Sequence, residues 1–101
     1  VHLLRLKKAL ARTKSLRERL FLPQEERGAS LEKLAGIFAA KEAVVKALEI
    51  KAGRWHEIEI RYKKNGKPAL VLGGDLNKKF HSYDISIAHD GDYAISLVCF
   101  I

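Results

Sequence analysis

Glu42 and Lys46 lie four residues apart, with Phe38 one turn before them and Lys41 beside them. On a 3.6-residue period that spacing stacks an aromatic, an acid and a base along one side of a helix. If both charges faced solvent, they would be an ordinary i,i+4 pair contributing about 0.2–0.5 kcal/mol. Their neighbours suggest a tighter setting. Gly36, Ala39, Ala40, Ala43 and Ala47 let another element approach closely, and a glycine at Gly36 costs about 1 kcal/mol against alanine, which a close contact would have to repay. Among the histidines, His2, His56 and His81 have polar neighbours and no acid or cysteine at ligand spacing, so they read as surface residues. His89 differs because DISIAH, residues 84–89, ends a strand there, where a rigid sheet presents polar groups. Ser86, His89 and Asp92 are too close along one strand end to form a catalytic triad. No Cys/His cluster suggests zinc, and no glycine-rich loop suggests a nucleotide-binding turn.

The elements that must hold these residues follow from periodicity. Leu31, Leu34, Phe38, Val45 and Leu48, with alanines between them, predict a central helix over 31–49, with Ser30 as its cap. Before it, Leu3, Leu4, Leu6 and Leu10 make an amphipathic helix over 2–12, a shorter helical turn covers 15–21, and Pro23 with Glu25 and Glu26 suits a helix first turn. After it, alternation over 55–62 predicts a half-buried strand. Asn65-Gly66 is a tight turn, 68–72 the return strand, Asp75 to Phe80 a short helix, and 83–88 and 93–101 two further strands joined by Asp90-Gly91. Helices first and antiparallel strands after make one α+β domain over 1–101, an antiparallel sheet packed by a long central helix.

The net charge of +7 is concentrated: residues 1–20 carry seven Lys and Arg against one acid, Glu18. Arg5, Lys8 and Arg12 share one solvated face there, a surface for an acidic partner or a phosphate-bearing ligand. No apolar run is long enough to cross a membrane, and the start is amphipathic rather than a signal peptide, so a cytoplasmic protein is expected. Cys99 lies in an apolar run and reads as a buried thiol. Tyr93 to Ile101 is apolar at both alternating sets of positions and wants cover on both faces.

Three separated pieces combine: FAAKEAVVKAL at 38–48, NGKP at 65–68 and the DISIAH strand end followed by DYAISLV. In this order and spacing they resemble the holo-acyl-carrier-protein synthase family of 4′-phosphopantetheinyl transferases, and the likeness covers most of the chain. The resemblance implies Mg²⁺-dependent transfer of phosphopantetheine from coenzyme A to a serine of apo acyl carrier protein, for fatty acid biosynthesis, by a homotrimer with sites between subunits. It assigns Glu42 as metal ligand and Lys46 to the transferred phosphoryl group. Lys41 and Lys67 are assigned to other coenzyme A phosphates, Gly66 and Pro68 to the nucleotide, His89 to its phosphates, and Arg5, Lys8 and Arg12 to carrier-protein docking. A single helix carboxylate suits Mg²⁺, which binds through one or two carboxylates plus phosphate oxygens and water.

Three positions depart from the family. Its opening strand, Gly-x-Asp-Ile, supplies a second metal carboxylate, and Val1-His2-Leu3 match the residues directly after it. Ile37 stands where the family has an arginine for a coenzyme A phosphate, and Asp90 where threonine is usual; both remove a favourable contact with an anion. A non-catalytic relic of the fold would carry such changes. A small nucleic-acid-binding module is the other rival, but it leaves Glu42 unexplained, and residues 1–20 hold none of the aromatic platform that single-strand binders use. No nucleic-acid partner is therefore expected.

Overall fold

The structure, a computed structural model, describes residues 1–51 and 53–101. Four helices come first: α1 (Leu3–Arg12), α2 (Lys14–Leu20), α3 (Pro23–Glu26) and α4 (Leu31–Ala47). Two hairpins follow, β1 (Ile58–Tyr62) with β2 (Pro68–Leu72), and β3 (Tyr83–Asp90) with β4 (Tyr93–Phe100).

Capping sets the helix ends. Ser30 Oγ accepts the Lys33 N–H at 3.2 Å, as the sequence predicts for a helix start. His2 does the same for α1 through Nδ1, accepting the Arg5 N–H at 3.3 Å. The far end of α4 falls two residues short of the sequence expectation: Glu49 adopts a left-handed φ of 52°, and the Ile50 N–H reaches back to the Val45 carbonyl at 3.0 Å, closing the helix before Gly53.

Leu3, Leu6 and Leu10 bury one side of α1, while Leu4 is half exposed and does not join the stripe. Helix α4 runs through the middle of the molecule, burying Leu34, Ala35, Ile37, Ala40 and Val44 against Ile58, Ile60, Leu70, Leu72, Ile85 and Ala94. The strands form two two-stranded ladders rather than one sheet. Ile58 pairs with Leu72 and Tyr62 with Pro68; Tyr83 pairs with Phe100 and Asp90 with Tyr93. Where a continuous sheet would carry a ladder bond, the Leu70 N–H instead donates to the Tyr83 hydroxyl at 3.0 Å. Trp55 to Glu57, expected as strand, form a 3₁₀ turn, and β1 begins at Ile58. Gly74–Lys79 is likewise a 3₁₀ turn, and Asp75 lies inside it rather than capping it.

Two glycines have identifiable work. Gly91 opens the two-residue β3–β4 loop with φ 57°, a backbone that suits glycine. Gly36, inside α4, faces β3 so closely that an added Cβ would lie 2.9 Å from Ile87 Cγ2. That contact is what offsets the helix penalty of a glycine.

On β4 the side chains alternate. Ala94 is buried, and Ser96, Val98 and Phe100 also turn inward, while Tyr93, Ile95, Leu97 and Cys99 face outward. Cys99 is therefore exposed, contrary to the buried thiol the apolar run suggests; a period of two puts it on the solvent side. Val1 and His2 pair antiparallel with Ala94 and Tyr93, Val1 N and the Ala94 carbonyl being 2.8 Å apart.

Candidate functional site

Helix α4 is held on several sides, so residues at its open margin have fixed positions. Glu42 is half-buried and Lys46, one turn on, is exposed. Both line a groove of about 290 Å³ walled by Val1, Ala39, Ala43, Ala94, Ile95 and Ser96. Small side chains on α4 and the bridge between Val1 and β4 leave that space. Among the described residues Glu42 has no ion-pair partner, so the i,i+4 pair with Lys46 that the spacing would allow is not formed. Each charge is available to something else. Glu42 also edges a second cavity of about 460 Å³ on the other side, lined by Leu6, Ala9, Leu16, Leu20 and Phe38 and rimmed by Arg5.

The buried charge pair of the molecule involves the neighbouring residue. Lys41 is wholly buried, its ammonium 2.6 Å from Glu25 Oε1, 2.8 Å from the Leu20 carbonyl and 3.3 Å from that of Trp55. Glu25 also accepts the Leu22 N–H at 2.8 Å and the Ile60 N–H at 2.9 Å. Burial pushes the Lys41 ammonium below the usual lysine range, and its bond to Glu25 pulls the other way. The expected role of Lys41 toward a coenzyme A phosphate does not fit this position: the side chain has no exposed surface, and its ammonium hydrogens are already engaged.

The remaining expected residues lie elsewhere. Gly66 and Lys67 sit in the β1–β2 turn, Gly66 with φ 85°, and Pro68 opens β2. Among the described residues they share no cavity with Glu42. His89 packs near the start of α4, where Nε2 is 2.7 Å from the Glu32 carbonyl oxygen. The ring also lies against Gly36, 3.2 Å from where its Cβ would stand, and Gly36 is about 9 Å along the helix axis from Glu42 at about 1.5 Å per residue. Ile37 is fully buried and forms part of a separate cavity with Lys33 and Tyr62, where it adds no charge. Arg5, Lys8 and Arg12 are exposed on α1, as expected.

The family model for the 4′-phosphopantetheinyl transferase superfamily matches residues 1–98. This chain belongs to that superfamily. The holo-[acyl-carrier-protein] synthase of Leifsonia xyli is 40% identical to it over 104 residues, covering 97% of this chain and 87% of that protein. The Helicobacter pylori holo-[acyl-carrier-protein] synthase, solved in complex with coenzyme A, superposes with a TM-score of 0.89 at 29% identity, covering 100% of this chain and 95% of that one. The Bacillus anthracis enzyme, solved with coenzyme A (3′,5′-ADP), gives 0.78 at 30% identity, covering 97% and 87%.

For a phosphopantetheinyl transferase the donor set around Glu42 has a clear chemical character. Among the described residues no three His, Cys, Asp or Glu side chains cluster as a metal-binding group. One unpaired carboxylate in an open groove beside an ammonium therefore suits Mg²⁺ shared with phosphate oxygens and water, and not a metal held wholly by protein. Sequence reasoning missed two contributors. Glu25, read as a first-turn acid, is instead the partner of Lys41; the available signal was a lysine on the buried side of α4, which requires an acid from another segment. The wall formed by Val1 and Ala94 to Ser96 depends on strand pairing and has no local signature.

Proposed function

We propose that this transferase moves 4′-phosphopantetheine from coenzyme A to a serine hydroxyl of apo acyl carrier protein, serving fatty acid biosynthesis in the cytoplasm. The observation that carries the reading is the unpaired Glu42 carboxylate in a groove one helical turn from Lys46, in a chain of this superfamily. Coenzyme A stands in the titles of its structural neighbours, and the carrier protein in the names of its relatives.

In the reaction the serine oxygen forms a bond to the pantetheine-side phosphorus. The bond from that phosphorus to the bridging oxygen breaks, and adenosine 3′,5′-bisphosphate leaves with the electron pair. Mg²⁺, when bound, neutralises diphosphate charge and polarises the phosphorus under attack. Glu42 would hold it, while Lys46 places an ammonium where negative charge builds on the transferred group. Glu42, the carboxylate lining this groove, would also take the serine proton, directly or through water.

The carrier protein would arrive over α1. Arg5, Lys8 and Arg12 present positive charge to an acidic helix, and the apolar cavity between α1 and α4, with Arg5 at its rim and Glu42 at its edge, receives an apolar side chain from that helix. A homotrimer completes the site. The outward row Tyr93, Ile95, Leu97 and Cys99 leaves Ile95 57% and Leu97 65% exposed in one chain, and a subunit contact there would cover them. It would also let Gly66, Lys67 and Pro68 of one copy approach Glu42 of another, which a single chain does not do.

The test is direct. Apo acyl carrier protein, coenzyme A and Mg²⁺ are incubated with the chain, and the carrier protein is weighed by mass spectrometry. Gain of one phosphopantetheine at its serine, abolished by chelation, is expected. An unmodified carrier protein in the presence of a folded chain overturns the reading.

A further inference from the structure

We infer that Gly36 is a positioning residue that fixes which nitrogen of His89 meets the ligand. This rests on the transferase reading, in which His89 contacts the phosphates of coenzyme A. The His89 ring lies in a notch on α4: a Cβ at Gly36 would stand 3.2 Å from Nε2 and 3.3 Å from Cε1, besides 2.9 Å from Ile87 Cγ2. The approach to Ile87 is closer than a real Cβ stands and the two to the ring are tight, so an added Cβ at Gly36 displaces Ile87 and pushes the His89 ring by a few tenths of an ångström. Within the notch, Nε2 is 2.7 Å from the Glu32 carbonyl oxygen. A carbonyl oxygen only accepts, so Nε2 carries the hydrogen and donates it to the helix.

The consequence is a fixed tautomer. Nε2 is committed to α4, and Nδ1 is the ring nitrogen left to face an incoming phosphate, to which it can donate only when it too carries a hydrogen. Glycine is needed here for room rather than for backbone freedom, since Gly36 has ordinary helical geometry. The strand end His89 occupies is held by its pairing with Ala94, so the notch and the hairpin together set the ring's orientation.

The test combines a spectroscopic and a kinetic readout on the full chain. In a ¹⁵N-labelled sample, long-range imidazole correlations, with His89 assigned by its loss in His89→Ala, are expected to show the Nε2–H tautomer. An Nδ1–H or tautomer-averaged pattern overturns the inference without any variant being made. In Gly36→Ala the pattern is expected to lose this bias, and KM for coenzyme A to rise about tenfold with kcat within about twofold, the loss of one charge-assisted hydrogen bond. The same change in a His89→Ala background should alter KM by less than about twofold, since the two act as one unit. If Gly36→Ala does not fold, two substitutions at His89 decide: His89→Asn, whose amide reaches the place of Nδ1, is expected to keep most of the affinity. His89→Gln, whose amide reaches only the Nε2 edge, is expected to lose as much as His89→Ala. The reverse order refutes the assignment of Nδ1. Absence of any coenzyme A turnover by the wild-type chain would count against the transferase reading, while the tautomer pattern would still decide whether the notch fixes the ring.

Discussion

Replacing Lys41 by methionine removes one half of a fully buried ion pair with little change in volume. Glu25 would keep its bonds from the Leu22 and Ile60 N–H groups, but the carbonyls of Leu20 and Trp55 would lose their shared donor. Removing one member of a buried pair costs about 3–5 kcal/mol, and the two retained N–H bonds place this case near the lower figure. At about 4–8 °C per kcal/mol for a domain of this size, the expected fall in Tm is about 12–24 °C. Urea unfolding of wild type and variant at one protein concentration measures the cost, and holding concentration fixed removes any contribution from subunit association. The double variant Lys41→Met/Glu25→Gln should cost less than the sum of its parts by about 1–3 kcal/mol, because neither partner is then left as a lone charge. A cost for Lys41→Met below about 1 kcal/mol, the scale of an exposed pair, would refute the reasoning.

Glu42→Gln is expected to abolish transfer while leaving the unfolding curve unchanged, since the carboxylate has no structural partner among the described residues; retained Mg²⁺-dependent turnover would remove it as metal ligand. Lys46→Ala should lower kcat more than it raises KM for coenzyme A, whereas a pure KM effect would confine Lys46 to ground-state binding. Arg5→Glu/Arg12→Glu should slow stopped-flow association with apo carrier protein and flatten its salt dependence, with coenzyme A binding unchanged; equal rates at low salt would show that these charges only solvate α1. Arg54 bonds Glu57 at 2.6 Å and Asp75 at 2.7 Å, which holds both carboxyls below their usual range. Their stabilising effect is present above the unfolded-state values near pH 4 and is lost as pH falls through the depressed ones, so the stability gap between wild type and Arg54→Ala should close on acidification. A gap that stays constant to pH 2 would contradict the pairing.

The sequence was most legible where one element answers to one period. Ser30, the α4 face and the 68–72 return strand could be read directly because cap chemistry and side-chain alternation are local. The end of α4 was not, because Glu49 takes a left-handed backbone that its residue type disfavours, and the nearby Gly53 offered a more ordinary stop. Lys41 was misplaced for a different reason. The charge of a lysine argues for solvent, and only the meeting of α3, β1 and α4 supplies the carboxylate and carbonyls that allow burial. Cys99 was read from the mean hydropathy of its neighbours when the alternation of β4 decides its side. Glu42 and Lys46 were found by spacing, but the groove they share needed the pairing of Val1 with Ala94, a contact across almost the whole chain.

The Glu25 carboxylate also bears on the time course of backbone opening. Short helical turns and their flanking loops usually exchange amide hydrogens first, being at the low end of local stability. Here the Leu22 amide, at the entry to α3, and the Ile60 amide, in the middle of β1, both donate to a carboxylate that is held in turn by a buried ammonium. Neither can exchange until that centre is exposed to water. A four-residue helix on the surface should therefore have an entry amide as slow to exchange as one in the core strand it touches, and the two should speed up together when Lys41 is replaced.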